Sequence, residues 1–499
     1  MQNIKQRILL LFFISIGFFS INSILIYANT NQNAIEQAST ATTPGVTAQE
    51  IFLGSVLPLD GRTAGIGIKI SAGFDAALAG QIINGRTVRI LYADDLYEPI
   101  LTPLKVRRLQ KQGIFALLGN VGTPTTAAAL PIIKQHGIPA LGFFTGTSLL
   151  RTGRGLMLNY RASYAQETET VIKAAIQAGV KPEQVCAYVQ NDAYGKDGLL
   201  GMATALKQAK APQKVIQSLE TLLANSTNDW LVRPPKNGAA PINNHGPVGV
   251  YMRNHLDVLS GYKSLKNWEH QTSYRCKLVL AVGIYENIAQ FIYESRDSYK
   301  ENWIISAVSF VGANNLLHTL QELNEHENLG PAHGLENVLM TQVVPNLDSK
   351  LPIVEKARSK LGKDFGFISL EGYIIGQIML KLLRETPMPL TRINFMNQAR
   401  QTKFNLGGIS IDFTKNGYQG SDLVTITRLT VDGYKLVTPK DWQNMLAWRT
   451  KKATTVTKHS NRKESQSRHS SDKEMRRNKD TRKSRTKNRR NRQGRRGRR

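Results

Sequence analysis

The chain has 499 residues, 41% of them apolar, with 65 Lys+Arg against 37 Asp+Glu and only two cysteines. That composition excludes a wholly disordered polypeptide, a disulfide-rich scaffold and a Cys-based structural zinc site. At about 150 residues per domain, two or three domains are expected. The net charge of +28 is uneven: residues 451–499 hold 21 Lys and Arg against 4 Asp and Glu, more than half of the excess.

The N-terminus carries Lys5 and Arg7, followed by a nearly unbroken apolar run over residues 8–27. A basic start and an apolar stretch are the pattern of a secretory signal, here 1–28 with cleavage after Ala28. The run is also close to the roughly 20 residues that span a bilayer, so an uncleaved anchor is the alternative. No Cys follows it, which argues against a lipid anchor. Residues 29–48, rich in Thr, Ala, Asn and Gln, read as a flexible lead-in.

Strands and helices then alternate. Ile51 to Leu57 reads as a buried strand, Ile66 to Ile83 as a helix and Thr87 to Tyr92 as a strand ending at Asp94-Asp95. Thr102 to Gln112 suits a helix, Ile114 to Leu118 a strand, Ala140 to Phe144 a strand, Tyr164 to Ala178 a helix and Val185 to Val189 a strand. Strands separated by helices imply parallel sheets covered on both faces. In such sheets ligands bind outside the carboxyl ends of the strands, so the loops there are the place to look.

Three loops fit. In Gly119-Asn-Val-Gly-Thr123-Pro124-Thr125-Thr126, Thr123 suits an N-cap and Pro124 the first helical position. The following helix would offer free N–H groups to a carboxylate or phosphate. Ordinary capping explains the same residues. Phe144-Thr145-Gly146-Thr147-Ser148 offers more hydroxyls and backbone donors. Asn191 to Gly198 places Tyr194 where it can stack on a ligand or donate a hydrogen bond.

No catalytic set is present. There is no HExxH, no G-x-S-x-G and no Walker-type loop, and Gly65, Gly67 and Gly73 have the wrong spacing for a dinucleotide fingerprint. Cys186 sits in an apolar strand and reads as packing; a bond to Cys276 stays open. An enzyme, a metal site and a cofactor are therefore not expected.

These residues carry a resemblance. Asp94-Asp95, Gly119 to Ala129, Ile138 to Thr147, Arg161 to Glu167, Val189 to Leu199, Val282 to Tyr285 and Val308 to Gly312 resemble, in order and spacing, the periplasmic leucine/isoleucine/valine-binding protein family. These are type I solute-binding proteins of ABC transporters. The resemblance covers most of residues 49–437 and implies an α/β fold of two doubly wound parallel-sheet lobes joined by hinge crossovers. Lobe 1 would be 49–158 with 345–390 returning to it. Lobe 2 would be 159–344 with 400–440 returning, and 225–275 a loop-rich insertion. Crossovers fall near 156–161 and 342–345.

The resemblance also implies the site and partners. Thr123 and Thr125, with Thr145, Gly146 and Thr147, would bind solute from lobe 1; Tyr194, Tyr285 and Ser309 would meet it from lobe 2. Ser309 stands near a position where amino-acid binders place an acid for the α-ammonium; Glu286 or Asp192 would have to substitute. A neutral site compensates a buried ammonium badly, so a carboxylate or amide competes with an amino acid as ligand. The implied function is capture of a small polar solute in the periplasm and delivery to a membrane ABC permease. A sensory receptor ectodomain of the same fold, held by an uncleaved N-terminus, is the alternative.

The tail, 451–499, has no Phe, Trp or Tyr and cannot offset chain entropy, so it is expected to be disordered. Its Arg pairs suit anionic lipid, lipopolysaccharide or another polyanion. No aromatic platform interleaves the charge, so specific nucleic-acid binding is not expected.

Overall fold

A computed structural model describes residues 43–153, 155–225, 244–415 and 418–448. The expected signal, residues 29–42 of the lead-in, residues 226–243 and the basic tail lie outside the described residues. Among the described residues, no helix is long and apolar enough to cross a membrane.

The first sheet is built by β1 (Glu50–Leu57), α1 (Ala64–Leu78), β2 (Ile82–Ile83), β3 (Arg86–Asp94), α2 (Thr102–Lys111), β4 (Ala116–Leu118), α3 (Thr123–Gln135), β5 (Ala140–Leu141) and β6 (Met157–Leu158). Its strand order is β2-β3-β1-β4-β5-β6, parallel except for the β2–β3 pair. β1 lies between β3 and β4, and its last five residues are all buried. A continuous apolar run is what a strand covered on both faces needs.

α1 buries Ile66, Ile70, Phe74 and Ala77 along one stripe. The sequence suggests a helix reaching Ile83; the helix ends at Leu78 instead. Asn84 and Gly85 both have positive φ, 49° and 77°, and turn Ile82–Ile83 back onto β3. A two-residue Asn-Gly turn of this kind favours a hairpin, and that local preference overrides the apolar spacing.

The second sheet follows: α4 (Tyr164–Gln177), β7 (Val185–Gln190), α5 (Ala193–Gln208), α6 (Gln213–Asn225), β8 (Val248–Tyr251), α7 (Leu259–Thr272), β9 (Leu278–Val282), α8 (Tyr285–Asp297), β10 (Ile304–Ala307), α9 (Ala313–His326) and β11 (Val338–Gln342). The chain then forms α10 (Pro352–Leu361), α11 (Phe367–Glu385), α12 (Arg392–Arg400), the hairpin β12 (Lys403–Leu406) and β13 (Ile409–Asp412), β14 (Thr425–Thr430), β15 (Gly433–Leu436) and α13 (Pro439–Ala447). Strand order in the second sheet is β15-β14-β11-β10-β9-β7-β8. The last two strands in the chain, β14 and β15, add an antiparallel edge to a parallel core.

The segment read as a loop-rich insertion over 225–275 contains two regular elements among its described residues. β8 is four buried residues paired in parallel with β7, and α7 buries Leu265 and Trp268. The prolines and asparagines that suggest a loop are concentrated before β8.

Three passages join the sheets side by side. Tyr160 Oη donates to the Val343 carbonyl at 3.1 Å, linking the first crossover to the second. Asn159 N–H donates to the Tyr418 carbonyl at 2.6 Å, and Gly420 N–H returns a bond to Asn159 at 2.8 Å. α11 comes back to the first lobe and crosses α1 at two glycines. A Cβ on Gly372 would lie 2.4 Å from the Ile70 carbonyl, and one on Gly73 would lie 2.3 Å from the Ser369 carbonyl. Cys186 on β7 and Cys276 just before β9 form a buried disulfide, their Cα atoms 5.7 Å apart.

Candidate functional site

Loops at the carboxyl ends of β4 and β5 face the second lobe. Thr123 and Thr145, from the two loops, have their hydroxyls 2.8 Å apart, and both residues are buried. Thr123 is the first residue of α3, not its cap. Gly122 occupies the cap position with φ 99°, where a Cβ would strike the Tyr97 ring. The shift by one residue frees the Thr123 hydroxyl to point at Thr145.

The other expected lobe-1 residues are spent locally. Thr125 Oγ1 donates back to the Val121 and Gly122 carbonyls within the first turn of α3. Thr147 Oγ1 accepts from Leu149 N–H and so caps a short 3-10 turn. Gly146 lies against Tyr164: a Cβ there would approach the ring to 2.7 Å, and its carbonyl accepts from Tyr164 N–H at 2.9 Å.

From the second lobe, Tyr194 is buried and donates its hydroxyl to the Gly283 carbonyl at 3.0 Å. Its backbone is fixed by Asp192, which caps α5 through a 2.9 Å bond from Tyr194 N–H. Tyr285 is not beside Tyr194. Its hydroxyl donates to the Arg62 carbonyl across the cleft at 2.5 Å, in a rim cavity of about 690 Å³. Glu286 stands in that rim and pairs with Arg62 at 2.7 Å.

Ser309 is held by charged neighbours. Its N–H and hydroxyl both donate to Glu167, at 2.8 and 3.0 Å, and its hydroxyl oxygen accepts from Arg161 Nη2. Arg161 is buried at the first crossover, 3.4 Å from Glu371 of α11, with its guanidinium 4.5 Å above the Phe144 ring. Burial pushes the Glu371 carboxyl up to about 7, although Arg161 pulls it down. Asp192, for which burial likewise raises the pKa, accepts from Gln190 Nε2 at 2.6 Å.

The centre of the cleft is aromatic, a feature that no local pattern in the sequence marks beyond Tyr194. Phe310, on the turn after β10, has its ring centroid 4.9 Å from Tyr194, 5.4 Å from Phe144, and 6.3 Å from both Tyr97 and Tyr164. Tyr97 and Phe144 belong to the first lobe, the others to the second. The Tyr164 hydroxyl is buried without a hydrogen bond of ordinary geometry, beside Thr145 and Gly146. Polar contacts flank the rings: Ser148 donates to Asp197 at 2.5 Å, and Arg253 pairs with Glu98 at 3.0 Å. No group of three or more His, Cys, Asp or Glu suited to a metal ion occurs among the described residues.

Comparison with known proteins agrees with this fold. Residues 50–230 match a family model described as periplasmic binding protein. The Leu/Ile/Val-binding protein homolog 6 of Brucella abortus (strain 2308) is 27% identical over 190 residues, 37% of this chain and 46% of that protein. The match thus spans about half the length of that curated relative. A solved structure described as a possible leucine/isoleucine/valine-binding protein from Rhodopirellula baltica SH 1 is 30% identical, with a TM-score of 0.67; the alignment covers 82% of this chain and all of that one. A more distant likeness, at 14% identity and a TM-score of 0.57, is a solute-binding protein from Rhodopseudomonas palustris HaA2 in complex with p-hydroxybenzoic acid; it covers 77% of this chain and 93% of that one. At that identity only the fold is shared.

Proposed function

Because this chain belongs to the leucine/isoleucine/valine-binding family of type I periplasmic binding proteins, we propose that it captures a small polar solute between its lobes and hands it to an ABC-type membrane permease. Amino acid, amide and carboxylate are the solute classes in view. The observation that carries this reading is the meeting of Thr123 and Thr145 hydroxyls at the N-terminus of α3, opposite Tyr164 and Tyr194 of the other lobe. In that pair one O–H bonds the other hydroxyl and the second can still donate; together with the positive end of a helix this suits an anionic end such as a carboxylate.

Capture proceeds by lobe closure. Solute would first bind the lobe-1 threonines while the lobes are apart. Tyr194 and its neighbours then close over it, and contacts made only in the closed arrangement shift the population. Residues 1–28 would export the chain. The buried Cys186–Cys276 bond supports an oxidising compartment such as the periplasm.

Calorimetric titration of the purified chain with carboxylates, amino acids and amides tests the reading. Stoichiometric binding of one solute per chain is expected. Failure of every small solute to bind would remove it, and chemical turnover of a solute would replace it with an enzyme.

A further inference from the structure

We propose that the site takes an aromatic monocarboxylate, and that Phe310 holds the place of the ligand's ring. This deepens the capture reading and rests on it. Phe310 is a lobe-2 residue packed among four rings of both lobes, all at most 1% exposed. Four aromatic walls around one aromatic side chain describe a slot of ring shape, because offset and edge contacts at these separations favour one ring over an aliphatic group of equal area. Phe310 sits on a short turn that ends at Gly312, whose φ of 88° makes a backbone joint there.

The polar end fixes the rest of the ligand. The Thr123 and Thr145 hydroxyls bond each other, and the Tyr164 hydroxyl lies beside Thr145 on one of the rings that wall the slot. They suit a carboxylate. For an α-ammonium the surroundings offer little. Both Glu167 oxygens take bonds from Ser309, Asp192 takes them from Tyr194 and Gln190, and Glu371 lies against Arg161. The Arg161 guanidinium already covers the Phe144 face, so a second cation among the rings meets like charge as well as desolvation.

Five probes separate ring from ammonium. 3-Phenylpropanoate and L-phenylalanine differ only in the ammonium, as do 4-methylpentanoate and L-leucine; glycine betaine tests the rings as a cation cage. With the wild-type chain, calorimetry should show 3-phenylpropanoate binding about tenfold or more tighter than the other four. Tighter binding of either amino acid, of 4-methylpentanoate or of betaine overturns the inference and leaves solute capture standing. If none of the five and no solute of the wider panel binds, both fall. Phe310→Ala removes the competing ring and should tighten 3-phenylpropanoate about threefold to tenfold. Lost binding in a variant that still melts cooperatively would overturn the stand-in role; should that variant not fold, the wild-type series decides.

Discussion

Two threonines two positions apart on α3 illustrate how finely the site is set. Thr123 presents its hydroxyl to Thr145, and Thr125 turns its own back into the helix. Both are legible as hydroxyls in a glycine-rich loop; which one faces the cleft depends on helical phase, and that is set by the left-handed Gly122. Thr123→Ala should weaken solute binding by about 1.5–3 kcal/mol, the range for a hydrogen bond to a charged group. Thr125→Ala should leave affinity within about twofold while lowering stability by roughly 0.5–1.5 kcal/mol. Titration and thermal melting of the two variants side by side check this; equal losses of affinity would place the anionic end elsewhere. Ser309 shows the opposite limit. Its partners Arg161 and Glu167 lie 148 and 142 residues away, so no local pattern announces that its hydroxyl is already engaged. Phe310, one residue further, lies in the same motif but carries no polar atom to draw notice.

At the scale of elements, alternation located the strands and helices, and local turn chemistry moved their ends. The Asn84-Gly85 hairpin shortened α1 and created β2. Nothing in the local sequence shows that Gly73 and Gly372, about 300 positions apart, meet where α1 crosses α11. Gly372→Ala should destabilise the protein by about 1–3 kcal/mol, because the Ile70 carbonyl leaves no room for a methyl group. Denaturant unfolding would reveal it; an unchanged midpoint would mean that the crossing relaxes freely. The disulfide is an element-scale feature too. It joins β7 to the approach of β9 across a separation of 90 residues. Cys276→Ser should cost roughly 2–5 kcal/mol. Two cysteines permitted this bond, and adjacency of β7 and β9 made it.

For the whole molecule, the crossovers carry a buried ionisable cluster that ties stability to pH. Glu371 has its carboxyl raised from 4.5 to about 7, so the folded state holds the proton more tightly than the unfolded chain does. The stabilisation is complete below the unfolded value and is lost as pH rises through about 7, at about 1.4 kcal/mol for each pH unit that separates the folded and unfolded values. Asp95, raised to about 6 by burial, moves stability the same way. Melting temperature should therefore fall between pH about 5 and about 8, and less steeply in Glu371→Gln. An identical slope in that variant would show that Glu371 does not titrate in this range. The basic tail is a separate matter of charge. Deleting 451–499 should leave solute affinity unchanged and weaken salt-sensitive binding to anionic vesicles; a lost solute response would contradict that division.

That excess of positive charge is the most conspicuous number in the composition, yet most of it belongs to the tail, not to the lobes. Composition, apolar spacing and glycine-marked loops determined by themselves that strands and helices alternate into parallel sheets and that the loops after β4, β5 and β7 bear the polar groups. These are properties of neighbours along the chain, set within a few residues by periodicity and turn chemistry. Only the tertiary structure decided which hydroxyls meet between the two loops, that Phe310 lies among four rings, and that Arg161, Glu167 and Glu371 share one buried cluster. Those depend on two sheets meeting across three crossovers, and contacts between distant segments leave no periodic trace in the chain.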